Sequence, residues 1–335
     1  MFRILAGCAL MVMAVPATAQ PIVIAHRGAS GERPEHTLAS YALAIEQGAD
    51  FIEPDLVMTK DGVLVARHEN EISETTDVSD RSEFAVRKTT KAIDGKAISG
   101  WFTEDFTLAE LKTLRARERL PLLRPNNRKF DGKFEIPTFE EVIALAQAEE
   151  KRRGRRIGLY PETKHPSYFQ SIGLALEVPL IALLDRYGYR EAADPVFIQS
   201  FEAANLRQLR GMTKLRLIQL MEDSAAYAEM ATARGLEGVA AYADGVGPAK
   251  SLIVPVSRIG RRGAPTRFVE DAHAAGLEVH PWTFRAENYF LPADMRKGIS
   301  PRGAGDLAAE IRLFADLGVD GVFSDNPGVA VVALR

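Results

Sequence analysis

The sequence predicts an α/β fold, a (β/α)8 TIM barrel with a small insertion after the second strand, and three observations predict it. Eight short apolar, β-branched runs alternate with amphipathic helical stretches, the pattern of a parallel sheet with its helices outside. Gly48, Gly188, Gly211, Gly235, Gly276 and Gly318 stand where helix stops belong. The chain has 335 residues, 46% of them hydrophobic, enough for one barrel of roughly 250 residues with an insertion and a leader. A doubly wound open sheet is the alternative arrangement of the same elements.

Taken in order, the first 19 residues stand apart. Arg3 gives a positive start, residues 4–15 are almost continuously apolar, and Ala17-Thr18-Ala19 sets small residues before a cut at Gln20. This reads as a cleaved secretory signal, which implies a periplasmic or secreted protein. A membrane span needs about 20 apolar residues, so no stable membrane insertion is expected. Leu5-Ala6-Gly7-Cys8 resembles a lipoprotein box but lacks the apolar stretch that should precede it. Cys8 is the single cysteine; if it leaves with the leader, the mature chain 20–335 has no disulfide, no zinc–thiolate site and no cysteine nucleophile.

Strands are expected at 22–26, 51–57, 157–162, 196–200, 215–220, 238–243, 277–283 and 319–324, with helices at 37–47, 138–152, 168–187, 203–210, 224–234, 265–275 and 305–317. After the second strand, Asp61-Gly62 between apolar runs signals a hairpin. With Asp61-Gly62 as a two-residue loop, Asp55 faces His68, and Glu53, Asp55 and His68 share one face. Residues 69–136 are polar and irregular, with one helical piece near 108–117, and read as an insertion over the barrel mouth. With 42 Lys+Arg against 45 Asp+Glu and a net charge of −3, the chain has no electrostatic footprint for nucleic acid. A small-molecule partner is expected instead.

In this fold the strand C-terminal ends carry function. The first ends in His26-Arg27-Gly28, the second in Glu53-Pro54-Asp55, its hairpin partner in His68-Glu69, and the third in Glu162-Thr163-Lys164. So many charges at one rim are unfavourable unless ions organise them. Glu53, Asp55 and Glu162 are hard oxygen donors that suit Ca²⁺ or Mg²⁺. Arg27 and Lys164 fit a phosphate. His26 and His68 fit general acid–base work, whereas His36, at a helix entry, reads as structural. The implied reaction is phosphodiester cleavage.

His26-Arg27-Gly28-Ala29-Ser30-Gly31, Pro34-Glu35-His36-Thr37, the run from Gly48 through Glu53-x-Asp55 to Asp61-Gly62, and Arg67-His68 resemble the glycerophosphodiester phosphodiesterase family, in particular its periplasmic, calcium-dependent bacterial branch. Tyr160-Pro161-Glu162-x-Lys164, Gln199-Ser200-Phe201, His280-Pro281-Trp282-Thr283 and Ser324-Asp325-Asn326-Pro327 extend the likeness over nearly all of the mature chain. The resemblance implies a TIM barrel that hydrolyses compounds such as glycerophosphocholine and glycerophosphoethanolamine to sn-glycerol 3-phosphate and an alcohol. It implies His26 and His68 as the acid–base pair, Glu53, Asp55 and Glu162 as holders of Ca²⁺, and Arg27 and Lys164 as phosphate ligands. It also puts Trp282 beside the glycerol moiety and makes Gln199 a lining residue. Pro54 departs from the pattern, and a proline inside a strand removes a ladder donor. Which histidine is the acid, and whether water or the glycerol 2-hydroxyl attacks, stays open. Two rival readings are a phospholipase D-like enzyme acting on intact lipid, for which the polar insertion offers little apolar rim, and a periplasmic protein that binds glycerophosphodiesters without cleaving them.

Overall fold

A computed structural model describes residues 20–335; the expected leader, Cys8 included, lies outside the described residues. The expected barrel is present. Its eight strands are β1 (Ile22–His26), β2 (Phe51–Glu53 and, past Pro54, Asp55–Met58), β3 (Gly158–Leu159 and, past Pro161, Glu162–Thr163), β4 (Phe197–Ser200), β5 (Arg216–Met221), β6 (Gly245–Pro248), β7 (Glu278–Val279) and β8 (Gly321–Ser324). Neighbours pair in parallel around the ring, and β8 returns to β1 with Ile22 beside Gly321. A single bridge, Phe284 to Ser324, closes the remaining gap, and another, Leu159 to Val196, adds to the β3–β4 pairing.

β2 and β3 each break at a proline at matching heights. Neither Pro54 nor Pro161 can donate to the ladder, but their carbonyls still accept, from Glu162 N and Gln199 N respectively, both at 2.9 Å. The ladder therefore resumes beyond the break with Asp55 beside Glu162 and Glu162 beside Gln199.

Alternation along the strands sorts the interior into layers. Ile24, Phe51, Tyr160, Phe197, Ile218 and Phe323 form one buried apolar cluster, with the Tyr160 and Phe197 rings stacked at 4.9 Å. His280, fully buried, joins them through a 2.7 Å hydrogen bond to the Tyr160 hydroxyl. Two residues beyond Ile24, Phe51, Tyr160, Phe197, His280 and Phe323 come His26, Glu53, Glu162, Gln199, Trp282 and Asp325, while β5 carries Leu220 at that height. The polar layer thus stands directly on an apolar plug. Small residues make room for that plug: a Cβ on Gly158 would lie 2.2 Å from the Phe51 ring.

The helices follow their end signals. Thr37 caps Leu38–Glu46, its Oγ1 accepting from Ser40 N, and Thr138 with Glu141 forms a capping box for Phe139–Arg153, which ends at left-handed Gly154. Among the described residues no helix is long and apolar enough to cross a membrane.

Five expectations need correction. The sixth strand is not at 238–243, which belongs to the helix Ala233–Ala240 and the turn after it; the strand is Gly-Val-Gly-Pro, and a Cβ on Gly245 or Gly247 would press on Ile218 or Leu220 within 2.7 Å. That composition carries little β signal, and the helix expected at 224–234 shifts with it. Residues 168–187 form two helices, Pro166–Ser171 and Glu177–Arg186, parted near Gly173. The helical piece at 108–117 shrinks to Leu108–Leu111. The insertion also holds an antiparallel hairpin, Thr89–Ile93 with Lys96–Gly100. Asp94 and Gly95, both at positive φ, supply its turn, a signal the sequence displays plainly.

The hairpin after β2 differs by one residue. Leu56 pairs with Ala66 and Met58 with Leu64, so Lys60-Asp61-Gly62 forms a three-residue loop with Gly62 at φ 77°. Asp55 therefore faces Arg67, whose amide donates to the Asp55 carbonyl, and not His68. The return strand Leu64–Ala66 ends before His68, which reaches the site by the chain leaving the ladder.

Candidate metal and phosphodiester site

Three carboxylates meet at the mouth. One oxygen each from Glu53, Asp55 and Glu162 lies within 4.8 Å of the others, and all three side chains are buried. Each is oriented by protein donors. Glu53 Oε2 accepts from the Arg27 backbone N–H at 2.7 Å and Oε1 from Gln199 Nε2 at 3.1 Å. Asp55 Oδ2 pairs with His36 Nε2 at 2.8 Å, and Glu162 Oε1 with Lys164 Nζ at 2.8 Å. Asp55 Oδ1 is buried without a hydrogen-bond partner.

The electrostatics of the three acids favour a cation. Burial and the neighbouring Asp55 and Glu162 charges hold the Glu53 carboxyl well above the usual carboxylate range. Burial also raises Glu162, against Lys164, with Asp55 adding to the rise. Asp55 is held well below, because Lys164, His68 and His36 outweigh its burial. Glu53 and Glu162, raised beside ionised Asp55, hold protons unless a cation replaces them. Hard oxygen donors, an orphaned carboxylate oxygen and absent thiolates fit a divalent ion such as Ca²⁺ or Mg²⁺.

His26 and His68 share a design. His26 Nδ1–H donates to Asp325 Oδ1 at 2.6 Å, and His68 Nδ1–H to Glu69 Oε1. Since a carboxylate only accepts, each bond fixes the proton on Nδ1 and leaves Nε2 as the titrating atom. Burial lowers His26 to about 4, helped by Arg27 and opposed by Asp325. Burial, then Arg27 and Lys164, lowers His68 to about 3. Both rings are therefore neutral at neutral pH.

Arg27 takes φ 59° directly after β1. This left-handed turn is unfavourable for a non-glycine residue, and it aims the Arg27 amide at Glu53. A Cβ on the next residue, Gly28, would lie 2.5 Å from Ser40 Oγ, so the turn needs glycine there. The Arg27 guanidinium bonds Glu35 at 3.0 Å and lies 3.3 Å from Asp55. His36 is fully buried between Asp55 and the Tyr41 hydroxyl, the structural role expected of it, here in direct support of an acid of the triad. Gln199 is as buried, and it orients Glu53 instead of lining a cavity wall.

Two cavities meet at His68. One, of about 710 Å³, is bounded by Glu162, Lys164, Phe201, Glu202, Tyr227 and Trp282, with Trp282 edge-on to Phe201 at 5.9 Å. The other, of about 930 Å³, runs from Arg27 past Arg119 to Leu120, Leu122, Tyr289 and Phe290. The insertion does bring an apolar side chain to the mouth, contrary to the reading of its sequence: Leu122 is 75% exposed, and Tyr289, from the segment between β7 and β8, is 64% exposed beside it.

The nine expected site residues thus lie together at one end of the barrel, with Gln199 behind Glu53. The sequence reading gave no role to Asp325 and Glu69 behind the histidines, Glu35 behind Arg27, or Arg119 and Arg124 behind those acids. Asp325 carried a usable signal, two residues beyond inward-facing Phe323.

The model of the glycerophosphoryl diester phosphodiesterase family matches residues 26–329. A glycerophosphodiester phosphodiesterase of Arabidopsis thaliana is 40% identical, over 93% of this chain and 85% of its own. One from Haemophilus influenzae is 32% identical, over 94% and 90%. Among solved structures, a putative glycerophosphoryl diester phosphodiesterase from Silicibacter pomeroyi superposes with a TM-score of 0.67 at 21% identity, over 96% of this chain and 94% of the other. An Oleispira antarctica phosphodiesterase in complex with the product sn-glycerol-3-phosphate does so with a TM-score of 0.60 at 23% identity, over 94% and 96%. At these identities the two structures speak for the fold.

Proposed function

The chain belongs to the glycerophosphoryl diester phosphodiesterase family and hydrolyses glycerophosphodiesters, and we propose that it does so with Ca²⁺ held by Glu53, Asp55 and Glu162 and with His26 and His68 as the acid–base pair. One observation carries this reading: three buried acids within 4.8 Å of one another share a mouth with two imidazoles, each backed by a carboxylate.

When bound, the cation would offset the charge that grows on the phosphate oxygens. The protein's own groups do the rest. Arg27 and Lys164 attract the phosphate, and that anion offsets the positive charge that adds to burial in lowering the histidines, Arg27 at His26 and Arg27 with Lys164 at His68. One histidine can then accept a proton at Nε2 from the attacking oxygen while the other delivers one to the departing alcohol. The new P–O bond forms as the bond to the alcohol breaks, and the two histidines end with exchanged protonation states. Trp282 and Phe201 offer an apolar wall to the glycerol carbons in the smaller cavity. The larger cavity leaves space for the alcohol.

The Ca²⁺ assignment is tested by reloading chelated enzyme. Ca²⁺ tolerates irregular carboxylate cages, whereas Mg²⁺ demands near-octahedral geometry and retains its waters. Ca²⁺ is therefore expected to restore the greater kcat on glycerophosphocholine. Equal or better recovery with Mg²⁺ would overturn the choice of ion and leave the triad standing. The apolar stretch 4–15 and Ala17-Thr18-Ala19 support export to the periplasm, and N-terminal sequencing of the exported protein is expected to begin at Gln20.

A further inference from the structure

We propose that the insertion is a two-arginine brace for the histidine pair. Arg124 acts through Asp325 on His26, and Arg119 acts through Glu69 on His68, so both are positioning residues for the reaction. The inference rests on the two-histidine reading above.

The two relays have the same wiring. Asp325 gives Oδ1 to His26, while its Oδ2 accepts from Arg124 Nη2 at 2.5 Å and from Arg285 Nε at 3.0 Å. Glu69 gives Oε1 to His68, while its Oε2 accepts from Arg119 Nη2 at 2.7 Å. Each carboxylate thus spends one oxygen on an imidazole and the other on an arginine of the insertion.

Both arginines are themselves fixed. Arg124 is buried, with its remaining donors on Glu287 at 2.5 Å and on the Ser30 carbonyl at 3.0 Å. Arg119 forks onto Glu35 at 2.6 and 2.8 Å, the same acid that holds the Arg27 guanidinium. One turn presents both side chains, for the Arg124 amide donates to the Leu120 carbonyl at 2.8 Å and Glu118 holds the Leu120 amide at 2.8 Å.

The brace solves a specific problem. The mouth holds other cations: Arg27 lies on Glu35 and Asp55, and Arg285 reaches Asp325 through Nε alone. A carboxylate held on one oxygen only could rotate toward them and release its histidine. A planar guanidinium that takes the second oxygen fixes the carboxylate plane, and the carboxylate then fixes the imidazole tautomer and tilt. An insertion that merely covered the barrel would not need buried Arg124 and half-buried Arg119 on these two acids.

Arg124→Gln and Arg119→Gln are compared with Arg87→Gln, which breaks the insertion's pair with Glu110 away from the site, and with Arg124→Lys and Arg119→Lys, which keep the charge but lose the fork. The readouts are kcat and KM on glycerophosphocholine, Ca²⁺ affinity by calorimetry, and the imidazole Nδ1–H resonances of ¹⁵N-histidine-labelled enzyme. Either glutamine variant is expected to lower kcat roughly 10- to 100-fold by misplacing one imidazole, with KM and Ca²⁺ affinity near wild type. The lysine variants recover part of that loss, Arg87→Gln keeps the wild-type kcat, and the hydrogen-bonded Nδ1–H signal is lost from His26 alone in Arg124→Gln and from His68 alone in Arg119→Gln.

Wild-type kcat in both glutamine variants overturns the brace, as does an equal fall in Arg87→Gln. If the glutamine variants do not fold, the wild-type spectrum decides: no hydrogen-bonded Nδ1–H from His26 and His68 overturns the proposal. Inactive His26→Ala beside fully active Arg124→Gln removes the brace alone; active His26→Ala removes the two-histidine reading beneath it.

Discussion

Replacing His26 or His68 with alanine is expected to lower kcat about 10²- to 10⁴-fold, the usual worth of one positioned acid or base. KM should change little, since Arg27, Lys164 and the acid triad remain. The fold should also survive. Removing the His26 ring leaves Asp325 with its bonds to Arg124 and Arg285, and removing that of His68 leaves Glu69 with Arg119, so neither change strands a buried charge. The double variant should lose little more than either single one, because the two rings serve one proton-transfer sequence and act as a unit. A wild-type kcat in either single variant removes that residue from the pair.

The second large effect concerns Glu162→Gln. The glutamine carbonyl still accepts from Lys164, yet the triad loses one of its three charges. Ca²⁺ affinity should collapse, and with it several kcal/mol of transition-state charge stabilisation, about 10³-fold or more in kcat at a fixed low Ca²⁺ concentration. Stability should move the other way. In the metal-free protein, Glu53 and Glu162 titrate above their unfolded values, so folding favours their protonated forms. That contribution is present below the unfolded carboxylate range and is lost as pH rises through the folded pKa values. A cation must displace those protons, and its stabilisation therefore grows with pH. The rise in Tm on adding Ca²⁺ to wild type should be larger at pH 8 than at pH 5, and Glu162→Gln should show a small rise at both. A Ca²⁺-induced shift independent of pH would contradict the raised carboxyls.

Much of this was legible because a barrel strand alternates. Once Ile24, Phe51, Tyr160 and Phe323 are read as inward, the residues two positions on, His26, Glu53, Glu162 and Asp325, must face the same side. Pro54 and Pro161 break the ladder without disturbing that parity. The hairpin register slipped by one residue because an Asp-Gly pair serves two- and three-residue loops alike, and only the paired strands choose between them. The sixth strand was missed because Gly245 and Gly247 answer the crowding of Ile218 and Leu220, a tertiary demand that overrides local propensity. The arginine brace had no local signal at all. Arg119 reaches Glu35 across 84 residues and Arg124 reaches Asp325 across 201, from a stretch whose sequence placed it over the mouth but named no partner for either arginine.

The central claim is that a cation on the acid triad and the histidine pair together cleave the phosphodiester. It is tested most directly by giving chelated enzyme glycerophosphocholine and measuring free choline and sn-glycerol 3-phosphate before and after Ca²⁺ is added. The account predicts negligible release in the chelator and equimolar release of both products once Ca²⁺ is restored. Undiminished hydrolysis in the chelator would contradict it.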